Sequence, residues 1–286
     1  MNKKSFLILV AGGTCSGKNN TAGKLSENNK EPVILDTDDF YCNDTKFRTS
    51  EEVNYDFNKP ENVEWSLLIH KVKKLLEGKD VCAPAVRGTA GDKQQIYEKG
   101  VRKIKFTRTD DKELKKSAPI IVVVGVHALQ NEELRNLADL KVFMDTSIDL
   151  RLILKIKRSP YYKEIEGTPI RDVRDFGRPK SPETKGFQKF TESIMNAFDL
   201  WNTIVKPSEM EYVIPTKEYA DLILESSTSE DFPKNTKIIS DIVSLYFKNE
   251  VEFHQKLKEF RKKGGSEELK KEYSSQLQTK IEVLPK

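Results

Sequence analysis

The sequence predicts an α/β fold, with a mostly parallel sheet flanked by helices. Three observations support this prediction: an apolar run at residues 6–11 leads into a glycine-rich loop and a helix-compatible segment, residues 119–125 form a continuous β-branched run, and apolar runs alternate with amphipathic segments along the chain. A chain of 286 residues can bury a substantial core. We expect one domain over residues 1–247 and a charged helical tail over residues 248–286.

The loop after the first strand has the pattern Gly-x-x-x-x-Gly-Lys. Between a strand and a helix, this pattern predicts a phosphate-binding loop. Its backbone N–H groups converge on a phosphate, the helix N-terminus adds positive potential, and Lys18 can reach the outer phosphates. The alternative is a glycine turn in a domain that binds no nucleotide. The predicted nucleotide-binding residues are Gly12, Gly13, Thr14, Cys15, Ser16, Gly17, Lys18, Asn19 and Asn20.

The residue after this lysine departs from the usual pattern. A Ser or Thr there would offer a hydroxyl to Mg²⁺, and the chain has Asn19 instead. An amide oxygen is also a hard ligand, although it sits on a longer arm and brings an NH₂ group. We therefore predict Asn19 as a metal ligand.

Acidic residues follow the second apolar run, residues 32–36. Asp36 and Asp38 should lie at the carboxyl end of a parallel strand, which is the edge where such sheets bind ligands. A carboxylate there can orient Mg²⁺ or accept a proton from an attacking hydroxyl. The two share alternation parity, and we predict both as metal ligands. The alternative is that these acids only cap a turn.

The remaining elements follow from periodicity. Apolar residues one helical turn apart predict a helix over residues 63–77. A later segment, residues 159–185, is rich in Pro, Gly and charged residues. That segment is either a mobile lid carrying arginines or a surface loop. We predict further strands at 81–86, 103–108, 119–125, 140–145 and 219–224, and further helices around 129–137 and at 149–158, 186–205 and 238–247.

Composition and charge exclude several classes of protein. One third of the residues are charged, yet the net charge is only +4, so a nucleic-acid-binding surface is not predicted. Three cysteines without metal-ligand spacing indicate reduced thiols and a cytoplasmic setting. The first apolar run is too short for a membrane span. We expect a small-molecule substrate, no membrane partner and a possible homo-oligomer. The tail could dock, pair with a partner or fray.

The order of the motifs resembles the uridine kinase family. The glycine loop is followed by Asp-Asp-Phe-Tyr at 38–41, Asp-Thr at 145–146, Val-Lys-Pro at 205–207 and Pro-Thr-Lys-Glu-Tyr-Ala-Asp at 215–221, and the last of these is the most specific. The resemblance covers about residues 6–247, weakly over 86–118 and 159–195. It implies a P-loop kinase fold, ATP and Mg²⁺, and transfer of the γ-phosphoryl to the 5′-hydroxyl of a uridine- or cytidine-like nucleoside in pyrimidine salvage.

The resemblance also implies roles for single residues. Asp38 matches the catalytic acid, which takes the hydroxyl proton and organises the metal, beside the catalytic Lys18. Tyr41 matches an aromatic near the nucleoside, and Glu61 lines up with an Asp that holds the ribose hydroxyls. Three basic residues fall where the family has lid arginines that clamp the transferring phosphate: Lys155, Arg158 and Arg171.

Two departures leave the activity open. Val124 stands where the family has a metal-site Glu, and residues 86–88 (Val-Arg-Gly) replace a Tyr-Asp-Phe that recognises the pyrimidine. We interpret the nearby His127 as structural. The hypotheses are an active uridine kinase-type enzyme with an altered acceptor pocket, a catalytically impaired nucleotide-binding relative with a regulatory or scaffolding role, and a kinase for another riboside, a vitamin or a sugar phosphate.

Overall fold

The computed structural model describes residues 5–28, 31–41, 59–85, 93–98, 101–106, 109–157, 194–195, 197–226 and 231–263. Nine strands lie within these ranges: β1 (Phe6–Gly12), β2 (Val33–Asp36), β3 (Val81–Ala85), β4 (Lys93–Glu98), β5 (Val101–Phe106), β6 (Thr109–Lys115), β7 (Ile120–Val124), β8 (Leu140–Asp145) and β9 (Leu222–Glu225). Five of them form a sheet in the order β2-β7-β1-β8-β9. Every pair in this sheet is parallel, which confirms the predicted fold class.

Helices cover both faces of this sheet. The α-helices of six or more residues within the described ranges are α1 (Lys18–Asn28), α2 (Trp65–Leu76), α3 (Glu132–Leu137), α4 (Ile148–Lys157), α5 (Asp231–Lys248) and α6 (Glu250–Lys263). Side chains of β1 alternate between the faces, as a strand buried on both sides requires. Leu7 and Leu9 pack in the cluster that contains the apolar faces of α2 and α3, whereas Phe6 and Ile8 pack with α1, α5 and α6.

Residues 201–213 form a helical segment with two π-helical turns, and a 3₁₀ turn (Ile214–Tyr219) leads from it to β9. The sequence predicted that the last strand begins at residue 219, but Tyr219 is the last residue of this turn. In the structure, the strand begins at Leu222.

Four strands lie outside the central sheet. β3 pairs with β6 and β4 pairs with β5, each pair being antiparallel. The sequence predicted β3 and a strand at 103–108 that overlaps β5, but it predicted no strand over the residues of β4 or β6. The sequences of β4 and β6 are mostly polar and charged and lack the apolar alternation on which the prediction relied.

The C-terminal helices pack against the start of β1. The Phe6 ring lies 4.4 Å from that of Tyr246 in α5 and 5.4 Å from that of Phe253 in α6, measured between centroids. Burial raises the pKa of Tyr246 to about 12, helped by the charges of Asp139 and Glu250. Residue 247 lies within α5, and α6, in the predicted tail, docks on the core through Phe253.

No helix within the described residues is long and apolar enough to cross a membrane.

Candidate active site

The glycine loop connects the buried end of β1 to the first turn of α1. Cys15 and Gly17 have φ values of 65° and 86°, both in the left-handed region. The Ser16 N–H donates to the Gly13 carbonyl oxygen at 3.1 Å and closes a turn inside the loop. When successive residues alternate between right- and left-handed backbone conformations, their N–H groups point inward and form a concave site that binds anions. The loop thus has the geometry that the sequence motif predicts, with α1 beginning at Lys18.

Lys18 lies in this loop with 9% of its surface exposed. Its Nζ donates to the Gly13 carbonyl oxygen at 3.2 Å. Burial lowers the pKa of Lys18, while the carboxylates of Asp38, Asp36 and Glu209 act in the opposite direction. The ammonium group therefore faces a cluster of acids contributed by the next strand and by a distant helical segment.

Asp38 lies in a 3₁₀ turn (Thr37–Phe40) directly after β2. The turn begins at Asp36, whose Oδ1 accepts a hydrogen bond from the Asp38 N–H at 3.0 Å. Asp36 therefore does cap a turn, as the alternative interpretation required, and the cap fixes the backbone of Asp38 directly after β2. The Tyr41 hydroxyl is 3.3 Å from Asp38 Oδ1 and fixes that carboxylate further.

The end of β7 presses against the same turn. Gly125 follows Val124 with φ of 154°, and a Cβ at this position would lie 1.8 Å from Thr37 Oγ1. Any larger residue would push Thr37 away. The close approach at Gly125 therefore helps to place the two aspartates that flank Thr37.

Asn19 contacts Asp36 across the strand ends. Its Nδ2 donates to Asp36 Oδ2 at 2.7 Å, so both oxygens of that carboxylate accept hydrogen bonds. Asp36 is also the cross-strand partner of Val124 in the parallel register. A carboxylate on β2 thus lies beside Val124, the position at which the resemblance leads one to expect a metal-site Glu.

These residues form the donor set available to a magnesium ion. Within the described ranges, no group of three or more His, Cys, Asp or Glu side chains is arranged to hold a metal ion. Mg²⁺ typically binds proteins through one or two carboxylates together with phosphates and waters, rather than in an all-protein cage. The carboxylates of Asp36 and Asp38 and the amide oxygen of Asn19 fit that requirement. Asn20 is exposed on the next helical position.

The residues predicted to contact the acceptor come from two adjoining segments. Tyr41 forms an isolated antiparallel bridge with Val63, and the Glu64 N–H donates to the Phe40 carbonyl oxygen at 2.8 Å. These contacts bring the turn that carries Glu61 next to Tyr41, with Glu61 exposed. Their roles in acceptor binding stay predictions.

The basic residues predicted for the lid are only partly described. Lys155 is half-buried on α4, one helical turn beyond Arg151 and on the same face. Arg158, Arg171 and the whole predicted lid at 159–185 lie outside the described residues, as does the base-recognition stretch at 86–88.

Two motifs that carried the family resemblance meet at the carboxyl end of β8. Asp145 forms an ion pair with Lys217, which joins the Asp-Thr motif to the Pro-Thr-Lys segment. The Thr146 hydroxyl is 3.2 Å from the Ser16 carbonyl oxygen and 2.9 Å from the Ser226 carbonyl oxygen. The Asp-Thr motif therefore contacts the phosphate loop through Thr146, and Lys217 of the Pro-Thr-Lys segment contacts that motif through Asp145. His127 has no exposed surface, as expected for a structural residue.

Sequence reasoning missed two buried charged residues at the loop. Arg151 on α4 and Glu209 in the segment 201–213 form an ion pair, and both contact Thr14. Glu209 stands just after the Val-Lys-Pro motif, but no periodic pattern links it to a residue 58 positions earlier.

The chain is similar in sequence to known proteins. The sequence model of the phosphoribulokinase / uridine kinase family matches residues 7–172, which is more than half of the chain. The chain is 28% identical over 227 residues to a uridine kinase of Halalkalibacterium halodurans, covering 78% of this chain and 87% of that one. It is 26% identical over 250 residues to a uridine kinase of Streptococcus uberis, covering 86% and 99% respectively.

Among solved structures, a possible uridine kinase from Bacillus stearothermophilus aligns with 60% of this chain and 89% of its own, with 19% identity and a TM-score of 0.34. The assignment rests on the sequence comparisons, which cover the glycine loop, the acid turn and the strands that hold them. The chain belongs to the phosphoribulokinase / uridine kinase family.

Proposed function

We propose that this protein is an ATP-dependent kinase that transfers the γ-phosphoryl group to the 5′-hydroxyl of a nucleoside or a similar small molecule. The observation that carries the proposal is the 2.7 Å hydrogen bond between Asn19 and Asp36, which joins the first turn of α1, where the buried Lys18 lies, to the turn that carries Asp38. A kinase needs these two groups in one place, one for the phosphates and one for the acceptor hydroxyl. Family membership supports the same reaction class.

The mechanism assigns a task to each group. The loop amides and Lys18 hold the triphosphate, and Asp38 accepts the proton of the acceptor hydroxyl as its oxygen attacks the γ-phosphorus. The bond between that phosphorus and the β-bridging oxygen breaks, and ADP leaves. Mg²⁺, held by Asp38 with Asn19 or Asp36, would neutralise charge on the β- and γ-oxygens. Lys155, with Arg158 and Arg171, would balance charge that develops on the transferred group.

The acceptor is proposed from two residues. Glu61 and Tyr41 adjoin the acid turn, and a carboxylate suits a pair of ribose hydroxyls. The loss of the family's pyrimidine motif at 86–88 favours weaker discrimination between bases, so another riboside is included in the proposal. On this proposal the protein acts in the cytoplasm, in nucleoside salvage.

A second candidate is a catalytically impaired relative that binds nucleotide. Both oxygens of Asp36 accept hydrogen bonds from Asn19 and Asp38, which reduces their capacity for a metal. The resemblance also implies that a hydroxyl is lost at residue 19 and a carboxylate at residue 124. Both losses should lower the affinity for Mg²⁺, since metal affinity depends on the complete set of ligands and their partners.

A phosphoryl-transfer screen separates the two candidates. Mg²⁺-ATP is incubated with a panel of nucleosides, vitamins and sugar phosphates, and ADP formation is followed for the wild-type protein, Lys18→Ala and Asp38→Asn. The kinase proposal expects acceptor-dependent turnover that both variants reduce by roughly 10²- to 10⁴-fold, the range typical of a lost acid–base group. ATP binding without turnover, with Mn²⁺ as well as Mg²⁺, would establish the second candidate instead.

A repair variant tests the metal site itself. Asn19→Thr combined with Val124→Glu supplies the hydroxyl and the carboxylate that the family has. If the site limits the activity, turnover should rise in this variant. An unchanged rate would assign the limitation to the acceptor pocket.

A further inference from the structure

We propose that Arg151 and Glu209 form a clip that holds the phosphate loop in its binding conformation. Both would then be positioning residues for the nucleotide, without touching the transferred group. The inference rests on the proposed function, because it assumes that the loop binds nucleotide phosphate. It assigns a role to two buried charged residues that the mechanism above does not use.

The clip holds both polar backbone atoms of Thr14. Glu209 Oε1 accepts a hydrogen bond from the Thr14 N–H at 2.5 Å, and Arg151 Nη1 donates to the Thr14 carbonyl oxygen at 3.3 Å. Arg151 Nη1 also binds Glu209 Oε2, so the three residues form a closed set of contacts. A loop residue whose N–H and C=O are both fixed cannot rotate its peptide planes without breaking a charge-assisted bond.

Burial makes the clip expensive to rearrange. Arg151 is 2% exposed and Glu209 is fully buried. Arg151 is held further by its Nε, which donates to the Thr146 carbonyl oxygen at 3.1 Å, and its guanidinium lies 5.5 Å from the centre of the Trp201 ring. A buried ion pair often stabilises a fold no better than apolar residues of similar volume. What this pair adds is a set of directed bonds to the loop backbone.

The contacts indicate that Glu209 positions the loop and does not compete with phosphate for Lys18. Lys18 Nζ donates to the Gly13 carbonyl oxygen, whereas the carboxylate of Glu209 is neutralised by Arg151. The guanidinium packs directly on Gly13, where a Cβ would lie 2.2 Å from Arg151 Nη1. The clip therefore supports the first limb of the loop, and α1 begins from the other limb at Lys18.

The first test is amide hydrogen exchange of the full chain without nucleotide. In the wild-type protein, the Thr14 amide should exchange at least about tenfold more slowly than an unprotected amide, because it donates to a buried carboxylate. Exchange of Thr14 at the unprotected rate would overturn the proposal whether or not any variant folds. This readout does not depend on nucleotide binding. If the wild-type protein has no affinity for ATP, the proposed function is refuted, and the exchange rate of Thr14 alone decides whether the clip exists.

The second test removes the clip without leaving a lone buried charge, through the double variant Arg151→Met/Glu209→Leu. We expect faster exchange at Thr14 and an ATP affinity that is about tenfold weaker or more by calorimetry. The single variant Glu209→Gln keeps an oxygen for the Thr14 N–H. Its Thr14 amide should therefore exchange more slowly, and it should bind ATP more tightly, than in the double variant.

The matched control is Lys141→Met/Asp221→Asn. It removes another ion pair, 3.1 Å long and well buried, between β8 and the residue before β9, and keeps an acceptor for the Lys141 N–H. It should lower the melting temperature without changing the ATP affinity. A folded clip variant with wild-type affinity and exchange would refute the proposal. A higher ATP affinity in Glu209→Gln would also refute it, because the carboxylate would then be a competitor of phosphate.

Discussion

The side-chain amide of Asn19 donates a 2.7 Å hydrogen bond to Asp36, and Asp36 pairs with Val124 in the neighbouring strand. Positions 19 and 124, where the resemblance implies departures from the metal site of the family, are thus connected through one carboxylate. We propose that Asp36 on β2 supplies the ligand that the resemblance leads one to expect on β7.

Asp36→Asn should therefore weaken the response to Mg²⁺. We expect the Mg²⁺ concentration at half-maximal ATP binding or turnover to rise about tenfold, the lower end of what lost metal-site partners cost. The matched control is Asp39→Asn, which makes the same change of charge in the same turn. An equal shift in both variants would assign the effect to general electrostatics rather than to a ligand.

Lys18→Met should separate binding from stability. Burial lowers the pKa of Lys18 below its usual 10.5, so between the two values the unfolded chain binds more protons than the folded chain. Stability contributed by this group therefore rises with pH across that interval and is least where the folded lysine is charged. We expect a melting temperature at neutral pH that is unchanged or higher, and an ATP affinity lower by roughly 10- to 100-fold. Parallel loss of both would contradict this expectation.

Gly125→Ala should disturb the acid turn from outside it. The new Cβ would lie 1.8 Å from Thr37 Oγ1, on a residue whose φ of 154° already disfavours a side chain. We expect a loss of about 1–3 kcal/mol in the free energy of unfolding, and a lower turnover because Asp36 and Asp38 move with Thr37. Gly23→Ala is the control, since nothing lies within 4 Å of its Cβ position and alanine favours helix α1.

Tyr246→Phe should change the alkaline stability profile. The folded pKa of Tyr246 is about 12, above the ordinary value of 10.0, so the folded chain holds this proton where the unfolded chain has lost it. The contribution is complete below pH 10 and disappears as the pH rises toward 12. Urea unfolding between pH 9 and 12 should show a shallower decline in the variant. An identical decline would show that Tyr246 does not titrate as stated.

The central strands and the phosphate loop were predictable because their signals are local. A continuous apolar run identifies β1 or β7 without knowledge of its neighbours, and glycine spacing identifies the loop. The acid turn was also predictable, since the carboxyl ends of parallel strands meet at one edge. Asp36 ends β2 and Asp38 lies in the turn directly after it, as that rule predicts.

Other features could not be predicted, for reasons that differ. β6 carries Asp110, Asp111 and Lys112, so its sequence has no apolar alternation that would predict a strand. α5 begins at Asp231 with Pro233 in its first turn, a place that tolerates proline but interrupts the apolar pattern. The pairing of Arg151 with Glu209 depends on the tertiary fold, and a single charged residue in a helix carries no sign of its partner.

The contact of Phe6 with Phe253 has a practical consequence for the nucleotide site. The strand that delivers the glycine loop begins under the ring of a residue from the last described helix. A version of the protein cut after residue 247 would uncover this aromatic cluster at the base of β1 and lose the apolar area that secures it. Purification and assays should therefore use the chain with its C-terminal helices intact, since the far end of the polypeptide helps to anchor the strand from which the phosphate loop emerges.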